Sequence, residues 1–196
     1  PRWAGAAFKP QAAFFERHGS RGVAVLEEVI AACREVGTSV SSMLSAATSA
    51  RRWPLRRCLF VRWLPARRRR SDLSPYLGVG SLAPALELAK ATGRGVFVLA
   101  LTSNPEGASV QHARGQDGRS VAGQIVSQLA DFNASCDKLH LGPAGVVIGA
   151  TVGDAVQRLG IDLPALKGAF LAPGVGAQGG GPAQVREVFA GAEDAV

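Results

Sequence analysis

Ser81-Leu-Ala-Pro-Ala-Leu-Glu-Leu-Ala-Lys-Ala-Thr92, then Gly93-Arg-Gly95, then Val96-Phe-Val-Leu-Ala-Leu101, then Thr102-Ser103-Asn104-Pro105: this run decides the fold. The Ser81 hydroxyl can cap a helix, and Leu82, Leu86 and Leu88 give that helix an apolar side. Gly93 and Gly95 lead out of it. Residues 96–101 are apolar without interruption, the mark of a short strand buried on both faces. A polar cluster follows at once.

The same order recurs on both sides. Upstream, residues 4–9 read as a short strand that Pro10 breaks, because proline has no N–H to give the ladder. Gly19, Ser20 and Gly22 predict a turn. Residues 23–36 predict a helix, with Val25, Leu26, Val29, Ile30 and Cys33 at helical spacing and Gly37 closing it. Downstream, helices are expected over 120–134, 154–159 and 183–190, and strands over 145–150 and 169–172. Alternating strands and helices mean βαβ units and a parallel sheet. An open doubly wound sheet and most of a (β/α)8 TIM barrel both fit that alternation. The barrel is favoured, because informative polar residues follow the strands (Lys9, Thr102-Ser103, Thr151, Gln178) and barrel sites form there. The expectation is a single α/β domain over residues 1–196, an incomplete barrel of parallel strands.

No apolar run approaches the ~20 residues of a membrane helix. Cys33, Cys58 and Cys136 lack metal-ligand spacing, so no metal site is expected, and reduced thiols suit a cytoplasmic location. The net charge of +7 would suggest an anionic polymer as partner. Its distribution argues against that. Residues 51–70 hold nine arginines and no acid, and the remainder, with 13 basic and 15 acidic side chains, has a net charge of −2.

Pro173-Gly-Val-Gly-Ala-Gln-Gly-Gly-Gly181 follows a strand and precedes a helix. Glycines there let backbone N–H groups approach an anion, and late barrel loops commonly take phosphate. The plain alternative is a flexible turn. Thr102-Ser103-Asn104-Pro105 can read the edge of a heterocycle or be a capped turn. Lys9, between Phe8 and Pro10, either snorkels or points into a polar barrel mouth.

Taken together these segments resemble a family. Phe8-Lys9-Pro10-Gln11 with Phe14-Phe15-Glu16, Ser74-Pro75-Tyr76-Leu77-Gly78, Thr102-Ser103-Asn104-Pro105 and Pro173 to Gly180 stand in the order and spacing of orotidine 5′-monophosphate decarboxylase, bacterial, actinobacterial-like branch. Val110-Gln111-His112-Ala113-Arg114 and Val147-Ile148-Gly149-Ala150-Thr151 agree. The resemblance covers about residues 4–38 and 73–190. It implies a (β/α)8 barrel, usually a homodimer, that makes UMP from orotidine 5′-monophosphate without a cofactor. It implies Lys9 in the catalytic charge network, Ser103 on the pyrimidine, Gln178 bridging pyrimidine and phosphate, and backbone N–H groups near Gly179 and Gly180 on phosphate oxygens. Phosphate binding far from the reacting carbon then stabilises the transition state.

The family's charged core is Asp-x-Lys-x-x-Asp at a strand end. Here Met43, Ser45 and Thr48 occupy those positions, and residues 39–71 contain neither acid nor lysine. Writing the family's Asp-Ala-Lys-Arg-Gly-Asp-Ile-Gly-Ser-Thr-Met-Ala in GC-rich codons and reading one base later gives Met-Leu-Ser-Ala-Ala-Thr-Ser-Ala-Arg-Arg-Trp-Pro, which is Met43 to Pro54. The stretch therefore reads as a frameshift, beginning near Val40 and restored near Leu73. An irregular path is expected over residues 40–72. Both ends are expected to be short, without the family's first strand and its phosphate-gripping Arg; Arg186 lies too early to take that role.

Three functions compete: the decarboxylase, impaired in this copy; another phosphate-binding barrel decarboxylase of the superfamily; and a nucleic-acid-binding remnant using Arg51 to Arg70 with Trp53 and Trp63. The last lacks amphipathic order, and the frameshift accounts for its arginines. The first is preferred: a nucleotide substrate, with no nucleic-acid or membrane partner.

Overall fold

The computed structural model describes residues 7–36, 38–43, 69–136 and 141–192. The strands are β1 (Ala7–Phe8), β2 (Ser39–Met43), β3 (Arg69–Leu73), β4 (Gly95–Leu101), β5 (Gly142–Ile148) and β6 (Gly168–Leu171). Each lies parallel to the next, in the order β1-β2-β3-β4-β5-β6. A doubly wound sheet reverses its strand order at a switch point; a barrel sheet never does. Of the two architectures the alternation allowed, the structure therefore has the winding of the TIM barrel.

β4 and β5 are buried on both faces, which is why their sequences lack alternation. Helices Gly19–Glu35, Ala83–Thr92, Val121–Ala134, Ala155–Arg158 and Pro182–Val188 carry the chain between strands and onward from β6. Gly93, at φ 64°, ends the second of these in the left-handed conformation glycine tolerates. Ser120 caps the third, accepting the Gly123 N–H at 3.0 Å. One hydrophobic cluster runs from Leu73 to Phe189; Leu26, Ile30 and Val40 form a smaller one.

Three expectations need correcting. Ser81 does not cap the helix Ala83–Thr92: it lies in a 3-10 turn, Val79–Leu82, and its hydroxyl donates back to the Gly78 carbonyl at 2.7 Å. Gly19-Ser20-Gly22 is not a turn: the helix begins at Gly19, and a short helix, Ala12–Glu16, precedes it. A Cβ on Gly22 would collide with the Phe15 carbonyl, so this glycine serves the close approach of the two helices. Nor is the whole of 40–72 irregular. Its edges are β2 and β3, with Val40 beside Arg69 and Met43 beside Asp72. Ladder bonds come from the backbone, which every residue but proline supplies; side-chain period reports burial, not pairing. Residues 44–68, and the expected break at Gly37, lie outside the described residues.

Where the β5–β6 register shifts, between Gly142 and Val146, a side chain replaces the ladder. The buried Asn133 amide donates to the Ala144 and Leu166 carbonyls, both at 2.8 Å, and accepts the Ala144 N–H at 3.0 Å. A Cβ on Gly142 or Gly168 would strike that amide, so both glycines make room for it.

Candidate functional site at the carboxyl ends of the strands

Because all the strands are parallel, their carboxyl ends share one rim. Two backbone bonds extend the ladder past the strand ends: Gly149 N–H donates to the Leu101 carbonyl at 2.9 Å, and Ala150 N–H to the Pro173 carbonyl at 2.8 Å. They tie together the exits of β4, β5 and β6, where Ser103, Thr151 and the glycine loop stand.

Thr102 is fixed by Gln111. The Gln111 carboxamide oxygen accepts the Thr102 N–H at 2.8 Å, and its NH2 donates to the Thr102 hydroxyl at 3.0 Å. The neighbouring Ser103 backbone nitrogen would lie 3.3 Å from a Cβ on Gly149. Across the rim, the Gln178 Oε1 and Thr151 Oγ1 atoms would lie 3.4 and 3.5 Å from a Cβ on Gly174. Glycine at 149 thus lets Ser103 close on the exit of β5, and glycine at 174 lets Thr151 and Gln178 close on the loop after β6.

The loop after β6 is tightly folded. Gly174, Gly176 and Gly179 have φ of 98°, 86° and 90°, a region that L side chains avoid. Gly180 is buried, and a Cβ there would lie 2.6 Å from the Gly174 carbonyl oxygen. Gly179 N–H donates to the Gly176 carbonyl and Gly180 N–H to the Gly174 carbonyl, both at 2.9 Å. These are the amides that the resemblance assigned to phosphate oxygens. In this structure they close the loop on itself, so a phosphate would have to share or replace those bonds.

Lys9 follows β1 and makes a contact the sequence reading missed. Its Nζ lies 2.7 Å from Asp72 Oδ2, and the Asp72 side chain is 0% exposed against 30% for Lys9. Asp72 pairs in register with Met43 on one side and Phe97 on the other, so Lys9 reaches past β2 to meet it. A signal was available: Asp72 is the only acid between Glu35 and Glu87, and it sits two residues before the Ser74-Pro75 motif. Met43 ends β2; Ser45 and Thr48 lie outside the described residues. Lys9, Ser103, Gln178, Gly179 and Gly180 all follow carboxyl ends of strands. Lys9 is joined to Asp72; Ser103 lies against Gly149, Gln178 beside Gly174, and the Gly179 and Gly180 amides bond the Gly176 and Gly174 carbonyls.

A family model described as "Orotidine 5'-phosphate decarboxylase / HUMPS family" matches residues 71–195. The chain is 46% identical over 200 residues to an orotidine 5′-phosphate decarboxylase of Salinispora tropica, covering 97% of this chain and 67% of that one. It is 46% identical over 198 residues to that of Streptomyces coelicolor, covering 95% and 66%. A Streptomyces avermitilis crystal structure, described as a candidate orotidine 5′-phosphate decarboxylase, superposes with a TM-score of 0.82 at 46% identity, covering 95% of this chain and 64% of that one. A Leishmania donovani OMP decarboxylase superposes at 0.71 with 29% identity. The chain thus spans about two thirds of the length of these relatives. Among the described residues no helix is long and apolar enough to cross a membrane.

Proposed function

Because the chain belongs to the orotidine 5′-phosphate decarboxylase / HUMPS family, we propose that its strand-end rim is a pyrimidine-nucleotide site and that the intact protein converts orotidine 5′-monophosphate to UMP. The observation that carries this reading is the placing of Thr151 and Gln178 beside Gly174 of the folded glycine loop, with Ser103 against Gly149 on the adjoining strand exit. Hydroxyls and a carboxamide suit the donors and acceptors of a pyrimidine edge, and the loop suits a phosphate. Ser103 reads the ring, Gln178 spans ring and phosphate, the backbone around Gly179 and Gly180 holds the phosphate, and Lys9 stands toward the ribose. A sugar-phosphate substrate would leave Ser103 with no ring to read, which disfavours the other barrel decarboxylases. A homodimer in the cytoplasm is the assembly and location that go with this activity.

The chemistry itself needs a positive group that stabilises the carbanion left by departing CO2 and then protonates it. Ser45 cannot carry that charge, and neither Met43 nor Thr48 can supply the carboxylates around it. Groups that act as a unit lose nearly all their advantage together. The chain as written therefore binds nucleotide but turns over far below its family's rate. The purified chain should bind UMP by calorimetry and leave orotidine absorbance unchanged. Exchanging residues 41–72 for the in-frame translation, with the longer relatives' terminal segments added, should restore turnover. Substantial turnover by the unrepaired chain would mean the active site has been misplaced. Failure of both chains to bind UMP would overturn the nucleotide reading.

A further inference from the structure

We propose that Asp72 is the positioning residue for Lys9, taking over on β3 the anchoring that this chain's missing β2 carboxylates cannot give; the inference rests on the nucleotide-site reading above. Side chains alternate across a strand. Leu73 and its partner Val98 face the helices, within the large hydrophobic cluster. Asp72 and its partner Phe97 therefore face the other side, the inner face of the sheet, where the Lys9 ammonium arrives at 2.7 Å. A carboxylate with no exposed side-chain surface must be compensated, and the Lys9 ammonium contributes to that compensation. The reverse dependence matters more for function. Lys9 is 30% exposed on a long flexible stem, and a single carboxylate on a rigid strand selects one position for its Nζ. With residues 39–71 devoid of acid, Asp72 is the carboxylate the sequence supplies beside that rim.

The test is amine acetylation of the full chain at mildly alkaline pH, read residue by residue by mass spectrometry. Lys9 is compared with Lys90 and Lys167 in the same molecule, and UMP affinity is measured in parallel. The expected result is a Lys9 that reacts slowly in the parent chain and several-fold faster in Asp72→Asn, with Lys90 and Lys167 unchanged. UMP binding should weaken about tenfold in that variant. Asp72→Glu should keep Lys9 slow and recover much of the affinity. An unchanged Lys9 rate in Asp72→Asn overturns the proposal. So does a faster Lys9 with unchanged UMP affinity, which would make the pair purely structural. If Asp72→Asn unfolds, so that all three lysines accelerate, Asp72→Glu decides, and a fast Lys9 there overturns the proposal. A parent chain that ignores UMP defeats the nucleotide reading instead, and the Lys9 rates still decide whether Asp72 holds this lysine.

Discussion

Replacing Asn133 by leucine should be among the most damaging single changes outside the site. Leucine repeats the branched skeleton with bulkier methyls, so it leaves no cavity and adds some overpacking against Gly142 and Gly168 to the polar loss. Three backbone groups lose their partner: the Ala144 N–H, the Ala144 carbonyl and the Leu166 carbonyl. Each buried group left unmade costs about 1–3 kcal/mol, and some relaxation toward water is expected, so the total should fall at about 3–5 kcal/mol. That is a large share of the roughly 5–15 kcal/mol that hold a typical domain. Asn133→Asp provides an internal control. It keeps one acceptor but turns a second oxygen on two carbonyls, which disfavours ionisation and raises the carboxyl's folded-state pKa. A raised carboxyl pKa costs stability as pH climbs above the unfolded value and costs none below it. The aspartate variant should therefore be relatively more stable in acid than at neutral pH, while the leucine variant's deficit stays flat. Urea denaturation followed by far-UV circular dichroism measures both. A leucine variant within about 1 kcal/mol of the parent would show that Asn133 does not bridge the β5–β6 irregularity.

Gln111→Leu removes both bonds to Thr102 and should cost about 1–2 kcal/mol in denaturation while weakening UMP binding; undiminished affinity would mean Ser103 needs no such brace. Gly180→Ala forces the loop backbone apart at the Gly174 carbonyl. It should lower UMP affinity about tenfold or more by calorimetry and also lower the melting point, since the clash is with backbone, and parent-like affinity would remove this loop from the site. Asp117 is held below its ordinary 3.8 by hydrogen bonds from Gln124 and Arg119. A lowered carboxyl pKa adds stability that is complete above the unfolded value and is lost as pH falls through the lowered one. An NMR titration should place the Asp117 midpoint below 3.8, and Gln124→Ala should move it upward; an unmoved midpoint would refute the cause.

What the sequence made legible followed burial. β4 and β5 could be read because strands buried on both faces have no polar alternation, and the helix over Val121–Ala134 because Ile125 and Leu129 face the core. β2 and β3 could not, since Ser-Val-Ser-Ser-Met and Arg-Arg-Ser-Asp-Leu carry no burial period and pair through the backbone alone. Among the site residues, those immediately after strands stood out by position. Asp72 did not, because a lone acid has no period and its partner lies on a strand distant in sequence. Asn133 and Gln111 look like ordinary surface amides until the fold brings backbone to them.

The separation between the two hydrophobic clusters has a consequence for how the molecule opens. Among the described residues Leu26, Ile30 and Val40 share no cluster with the body that runs from Leu73 to Phe189, and the β2–β3 ladder and the Lys9–Asp72 pair join the two. Such a joint is where a protein breathes below its global unfolding energy. Amides of residues 19–35 should exchange with solvent by an opening that leaves β4 and β5 protected. A nucleotide touching Lys9 on one side and Gln178 on the other would clasp the two parts. Its binding would then register as slowed exchange in a helix it never contacts.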